Sequence, residues 1–498
     1  MKKAIIFLIA GTLLGVSAFG AAKIKHVSLK IENEPIVSFR FVFHAGPMND
    51  PDGKNGLAHL TAQILANAST KQNKYEDILK KLFPLASGYF VQVDREYITF
   101  IGESHKDNLD SFYSLFRDAL LNPAFLEEDF NRLKTATING IKTNLRYSND
   151  EELGKAVFKA FVYRGTPYEK NIAGRVGDLE KITLDDVKKF YQKNFTQANL
   201  IAGLSGNFPD ALISRIADDF AKLPQGPCNC RQEAVKPAKI EGIQVTIVEK
   251  ATESTGIHIG FPIDLMRDHE DFHALFLANS WLGEHRNSSS HLYQVIREDR
   301  GMNYGDYSYI EDFPRGGGAQ FPPTNVYKKP QLFEIWIRPV ENNNRLFALR
   351  AALREVKALV EKGMTKKDFE LTQKFLSKYY LHFAATASER LGYKIDDTLY
   401  GLKEPYLENF KEKIAALTLD KVNQVIKKYL QADNLKIVFV TNEADKLKNE
   451  LINNTPSPIT YRTPKPAEVL EEDKIIQVFP LAVKPGNIAI LPLDEVFK

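Results

Sequence analysis

Residues 183–200 read TLDDVKKFYQKNFTQANL, and residues 418–435 read TLDKVNQVIKKYLQADNL. The two stretches align without a gap at an offset of 235, with Thr, Leu, Asp, Val, one Lys, Asn and Leu in register. Each opens on a Thr-Leu-Asp helix start and closes before a run that reads as a strand, LIAGLSG in one and KIVFVT in the other. Earlier in the chain, ILANA at 64–68 is echoed by FLANS at 276–280, each just after a helix start. Two matched blocks in the same order argue for two homologous halves of about 200 residues each.

Working outward, PIVSFRFVFHAG and YFVQVDREYITFIGES alternate like sheet strands, while NLDSFYSLFRDALL and ELGKAVFKAFVYR carry helical periodicity. In the second half VTIVEK, TGIHIGFPI and QLFEIWIRPV read as strands, and RLFALRAALREVKALVEKG reads as a long amphipathic helix. The mixture without strict alternation predicts an α+β fold. Each of two domains would be a mainly antiparallel sheet with helices packed on one face, and the two would face each other as a clamshell. The seam, LPQGPCNCRQEAVKPAKIEG, has the Pro, Gly and charge of a linker. The division read from the chain is a leader at 1–22, a first domain at 23–222, a linker at 223–241, a second domain at 242–445 and an extended tail at 446–498.

The 498 residues carry a formal charge of +3, and two of those positives, Lys2 and Lys3, lie in the leader. A near-neutral remainder gives no support to nucleic-acid binding or to a polybasic membrane role. The leader itself, two lysines, an apolar run from Ala4 to Val16 and small residues from Ser17 to Ala22, has the pattern of a secretory signal peptide. Its apolar run is shorter than the roughly 20 residues a membrane span needs. The expectation is an exported protein without stable membrane insertion, periplasmic by default, with secretion into the medium as the other route. Only two cysteines are present, Cys228 and Cys230. Two thiolates are too few for a closed zinc site, and the pair reads as a feature of the linker without a catalytic task.

GLAHLTAQILA, residues 56–66, places Leu57, Leu60, Ile64 and Leu65 on one apolar stripe of a helix. His59 and Gln63 then stack about one turn apart. A histidine followed one turn later by a second ligand is how helices grip zinc, but the second position here is an amide.

At these residues a family comes into view. HAGPMNDPDGKNGLAHLTAQILANAST (44–70) resembles the metal-binding segment of the pitrilysin/insulinase-type metallopeptidases, which include the mitochondrial processing peptidase. HLYQVIREDRGMNYG (291–305) is similar to a segment near the start of their second domain, and the GTPY turn at 165–168 fits as well. The family signature is the inverted motif H-x-x-E-H. Here HLTAQ keeps His59 but has Ala62 in place of the base and Gln63 in place of the second histidine. The family's third ligand, a glutamate, is expected near 139–143, yet no acidic residue occurs from Lys134 to Asn149. Three protein ligands are needed to hold a catalytic zinc with one position open, and no carboxylate at position 62 remains to activate water. His59 is read as the remnant of a lost site, so no cofactor is expected in this chain.

The second segment departs much less. In active members an arginine and a tyrosine seven residues apart bind the substrate backbone beside the metal, and Arg297 and Tyr304 keep that spacing. An arginine offers a fixed fork of donors and a tyrosine one directed hydroxyl, both suited to a peptide carbonyl or an oxyanion.

A rival motif must be weighed. HEDFH at 269–273 is a complete H-E-x-x-H, with His269 and His273 as potential ligands and Glu270 as base; Glu284 or His285 could be offered as the third ligand. Against it, the string sits where a helix begins just after a strand. The resemblance thus implies a zinc-free subunit that holds extended or unfolded peptides through Arg297 and Tyr304, the zinc belonging to a homologous partner chain. Two alternatives stay open at this point: a self-sufficient peptidase built on His269, Glu270 and His273, and a structural or peptide-binding scaffold without proteolytic role.

Overall fold

A computed structural model describes residues 24–230, 233–313 and 320–498, so the leader read at 1–22 lies outside the described residues. The first half contributes β1 (Lys25–Lys30), β2 (Ile36–Phe43), β3 (Gly88–Val93), β4 (Ile98–His105) and β5 (Leu200–Gly206). They form one sheet in the order β1-β5-β2-β4-β3. β1 runs parallel to β5, and the other pairs are antiparallel. The second half contributes β6 (Ile243–Glu249), β7 (Ser254–Ile263), β8 (Asp306–Tyr309), β9 (Gln331–Glu341), β10 (Lys436–Thr441) and, from the tail, β11 (Val483–Pro492). Its order is β11-β6-β10-β7-β9-β8. With β11 set aside, this is the first sheet repeated strand for strand, including the parallel pair (β6 with β10) and the three antiparallel ones.

The repeated Thr-Leu-Asp starts explain why the helix leading into β5, and its counterpart leading into β10, begin where they do. Thr183 accepts from the Asp186 N–H while Asp186 answers the Thr183 N–H, a reciprocal capping box. Thr418 accepts from the Lys421 N–H, but lysine at that position cannot close the box. Each helix, Leu184–Asn194 and Leu419–Tyr429, then packs on the helix that follows the second strand of its half, Leu57–Asn67 and Phe272–Gly283.

β2, β5, β7 and β10 are buried almost throughout, not on alternate residues. Strands with that burial have both faces covered. The helices of each half cover one face of its own sheet, and the opposite face is covered by a helix lent by the other half. The Asp150–Val162 helix of the first half lies on β7 and β10, and the Ala387–Tyr400 helix of the second half lies on β1, β2 and β5. Leu391 and Ile395 from the latter share a core with Val42, Tyr97 and Ile201. The mixed α+β architecture with two domains therefore holds. The picture of helices on one face is completed by this exchange, which no periodicity within one half encodes.

The final stretch differs from an extended tail. A helix at Ala444–Ile452 straddles the 445/446 boundary, and a second follows at Ala467–Ile476 before β11 joins the edge of the second sheet. The C-terminus then crosses to the first half: the Arg146 guanidinium donates to the Val496 carbonyl through Nε (2.9 Å) and Nη2 (2.6 Å). The Val176 N–H donates to the Phe497 carbonyl. Among the described residues, no helix is long and apolar enough to cross a membrane. Cys228 and Cys230 are joined in a disulfide, with Cys230 Sγ 3.8 Å from His44 Nε2.

Candidate functional site

The Leu57–Asn67 helix is started by a buried carboxylate. Asp50 Oδ2 accepts from the Gly56 N–H (2.8 Å) and Oδ1 from the Ala58 N–H (2.7 Å), satisfying donors that a helix N-terminus leaves open. Burial still pushes the Asp50 carboxyl up to about 6. Gly56 has φ of +108°, and a Cβ there would lie 2.9 Å from the Gly174 Cα, so only glycine fits this tight start. From it the helix presents His59 and Gln63 to a cavity of about 600 Å³. Gln63 Oε1 accepts from Asn67 Nδ2 at 2.9 Å, while Ala62, at the base position, is a fully buried methyl.

The opposite wall is the Glu127–Asn139 helix and the wider helical turns that continue it over Gly140–Ser148. Ala136, Thr137, Gly140, Ile141 and Asn144 reach the cavity from this segment, and none is acidic. Zinc is the metal the motif implies, and the residues here do not fit it. One imidazole stands a turn before one carboxamide on the same helix, and the third position is apolar or an amide. Among the described residues, no group of three or more His, Cys, Asp or Glu side chains is placed to hold a metal ion.

The third wall was not legible as part of a site. The Asp150–Val162 helix sends Glu152, Lys155 and Lys159 to the cavity, and the β3–β4 turn adds Arg95. Arg95, Lys155 and Lys159 are all buried. Arg95 and Lys159 pair with Asp312 of the second half, which also takes the buried Lys328. Among the described residues, Lys155 forms no such ion pair. Its Nζ lies 4.0 Å from the Trp336 ring centre and 5.5 Å from that of Phe313, with the Phe313 carbonyl at 3.5 Å. Burial pushes the Lys155 and Lys159 ammonium groups down to about 8, and Lys328 well below its ordinary range. A signal for this existed in ELGKAVFKAFVYR: the two lysines are four residues apart, on the same side as apolar neighbours in a helix with little polar surface to spare.

Arg297 and Tyr304 are brought together. The Arg297 guanidinium carbon lies 5.7 Å from the centre of the Tyr304 ring, within cation–π range. Arg297 Nε is buried without a hydrogen-bond partner among the described residues, and Glu298 is at the outer limit of an ion pair at 3.9 Å. Tyr304 is 78% exposed, on the loop leading into β8, an outer strand of the second sheet. That loop is tied back towards the cavity. The Arg338 N–H donates to the Gly305 carbonyl, and the Arg338 side chain donates to Glu151 at 2.7 Å, next to the cavity-lining Glu152.

The HEDFH string does not form a metal site. Its helix begins at Phe272, so His269 lies in the preceding turn and not on a helical face with His273. His269 Nδ1 accepts from the Asp271 N–H at 3.0 Å. Asp271 is tied to Lys421, Lys428 and Tyr429. His273 packs on the rings of Tyr406 and Phe410, 5.7 Å from each, and burial pushes it down to about 4. Glu284 and His285 lie at the far end of the helix, about 16 Å along the axis at 1.5 Å per residue. His285 is engaged with the Tyr309 hydroxyl at 2.8 Å. Glu270 therefore has no metal-bound water to act on here.

Residues 25–174 match the domain model described as Insulinase (Peptidase family M16), and residues 181–376 match that of the Peptidase M16 inactive domain. The chain belongs to peptidase family M16. Among curated relatives it is 22% identical over 455 residues to the "Non-peptidase homolog YmxG" of Helicobacter pylori, covering 89% of this chain and 99% of that one. It is 24% identical over 281 residues to the "Zinc protease PqqE" of the same organism, covering 53% of this chain and 59% of the relative. Among solved structures, a peptidase M16 inactive domain from Pseudomonas fluorescens superposes with a TM-score of 0.74 at 22% identity, over 85% of this chain and 96% of that one. This M16 chain is thus an insulinase-family protein with a relative named a non-peptidase, and its motif region keeps only His59 of the ligands of a zinc peptidase.

Proposed function

We propose that this M16 chain is a zinc-free subunit that binds an extended peptide and completes the site of a zinc-bearing partner of the same family. The observation that carries this reading is the unequal survival of the two motifs. The metal half retains His59 alone, whereas Arg297 and Tyr304 stand side by side with the guanidinium Nε unengaged among the described residues and the tyrosine in solvent. In such a pair, Arg297 would hold a peptide carbonyl and Tyr304 would donate to the oxygen on which charge develops.

An extended peptide can add to a sheet edge, where main-chain hydrogen bonds supply affinity. β3 offers such an edge: it is the outer strand of the first sheet, and it runs directly into Asp94 and the cavity-lining Arg95. The occurrence of a named non-peptidase homologue and a named zinc protease in one organism supports a division of labour between chains. The reading places the protein outside the cytoplasm, in the periplasm, on the strength of its leader.

The test is to purify the chain after co-expression with a zinc-bearing family member from its own genome, and to assay zinc and peptide cleavage for each alone and for the mixture. Association, zinc in the partner only, and cleavage that rises on mixing are the expected results. If the chains do not associate, or if Arg297→Ala leaves the mixture unchanged, the assisting role is lost and a scaffold without proteolytic role takes its place.

A further inference from the structure

The cavity beside His59 has the wrong charge for a metal site and the right one for its opposite. Among the described residues, three cations line it, Arg95, Lys155 and Lys159, against one carboxylate, Glu152. Arg95 and Lys159 are shared with Lys328 around the single carboxylate of Asp312. Glu334, the carboxylate that acts most on Lys155 from the sheet beneath, is hydrogen-bonded to His258 through Oε1 at 2.9 Å, and its Oε2 has no hydrogen-bond partner among the described residues. Lys155 is 2% exposed, and no carboxylate lies within ion-pair distance of it among the described residues. A buried ammonium is costly to desolvate, and an aromatic face offsets only part of that cost. The remaining wall is apolar, with Leu133, Ile141, Leu145 and Ile172. A volume of about 600 Å³ accommodates one or two amino-acid residues, within the range of small-molecule pockets.

We infer that this cavity is a carboxylate-binding site, with Lys155 as its charged partner, that receives the C-terminal or side-chain carboxylate of a bound peptide. The inference rests on the reading of the chain as a peptide binder and names the chemistry it selects. An anion is bound where the family motif would hold a cation, and the apolar wall takes the stem that carries it. The site has a built-in reporter. Trp336 is one of only two tryptophans in the chain and lies against the Lys155 ammonium, whereas Trp281 stacks on His291 with ring centres 4.3 Å apart.

The experiment uses the full chain, without any partner, carrying Trp281→Phe so that emission reports on Trp336 alone. Three probes are titrated: acetyl-Ala-Ala-Leu with a free C-terminal carboxylate, the same peptide as its amide, and acetyl-Ala-Glu-Leu-amide. A saturable change in emission with a carboxylate-bearing probe, at an affinity at least tenfold above that of the neutral amide, is the expected result. Saturation by the free acid alone identifies a C-terminal carboxylate as the ligand, and saturation by the glutamyl amide identifies a side chain. Lys155→Met should weaken binding at least tenfold and Lys155→Arg should restore part of it. Ile172→Trp, read by calorimetry, should block binding without touching the charge, which keeps the inference testable if Lys155→Met does not fold. Equal binding of acid and amide, or unaltered binding by folded Lys155→Met and Ile172→Trp, overturns it. Because no partner is present, this outcome is separate from that of the mixing experiment. A chain that binds carboxylates but never associates would keep this site and lose the assisting role.

Discussion

His258 lies against the bare α-carbon of Gly154: a Cβ at position 154 would fall 2.6 Å from the imidazole Cδ2 and Nε2. The imidazole cannot easily retreat, because Nδ1 is held by Glu334 at 2.9 Å and the ring stacks between Phe158 and Trp336. This contact sets how closely the Asp150–Val162 helix of one half can lie on the sheet of the other. Gly154→Ala gains about 1 kcal/mol of helix propensity, while overpacking costs about 1–3 kcal/mol. A net loss of stability is expected, read as a lower Tm by calorimetry. A Tm equal to or above the parent's would show that the two halves can separate slightly without cost.

Asp312 is the electrostatic counterpart of that contact, drawing Arg95 and Lys159 of the first half and Lys328 of the second onto one carboxylate. Removing one partner of a buried ion cluster leaves the others uncompensated, at roughly 3–5 kcal/mol. Asp312→Asn keeps the shape and removes the charge. It should lower the urea midpoint by an amount far beyond that of a surface Asp→Asn control such as Asp433→Asn.

The buried lysines predict an alkaline gain in stability. Lys155 and Lys159 are held at about 8 in the folded chain, from an ordinary 10.5. The groups around Lys155 are Glu151, Glu152 and Lys159 on its own helix, and Glu334 and His258 on the sheet beneath. Between about pH 8 and 10 the unfolded chain binds more protons than the folded one, so unfolding becomes harder as pH rises. Below pH 8 both states are charged and the penalty is fully present. Above pH 10 the buried tyrosines, whose folded values are raised, reverse the trend. Lys155→Met should flatten the slope of Tm against pH in that window; an unchanged slope would remove Lys155 from the account.

Chelation should leave the isolated chain unaffected. With His59 accompanied on its helix only by Gln63 and no acid on the opposite wall, EDTA is expected to shift Tm by less than the error of the scan. Grafting Ala62→Glu with Gln63→His restores a base and a second imidazole but leaves the third ligand missing, and the Lys155 and Lys159 ammonium groups still line the wall. Stoichiometric zinc in that double variant would show that the cavity tolerates a cation after all.

Tyr304→Phe separates function from stability. The ring is mostly in solvent, so removal of the hydroxyl should change stability by no more than about 0.5 kcal/mol. In the mixture with a zinc-bearing partner the same change should lower kcat/KM on the order of 100-fold, as for the loss of one oxyanion donor. Equal kcat/KM for the two forms would take Tyr304 out of the site.

Much of this protein is written in short-range features of the chain. The Thr-Leu-Asp starts are caps formed within four residues, and the strand runs form two sheets with the same order. That Ala62 and Gln63 stand where the family has a base and a second histidine is equally legible, because ligation depends on which side chains occupy a few positions. The spacing of Arg297 and Tyr304 is likewise a local property, although their approach to 5.7 Å is a result of the fold.

What the chain by itself could not reveal is which surfaces meet across the halves. Whether Lys155 or Lys159 is solvated depends on the second sheet, whose contributing residues come from a distant part of the chain; Arg95 and Asp312, for instance, are 217 residues apart. A lysine on a helix has the same local period whether it faces water or Trp336. Only the exchange of helices between the two sheets excludes the water, and with it fixes the charge of the cavity and the pKa of the groups that line it.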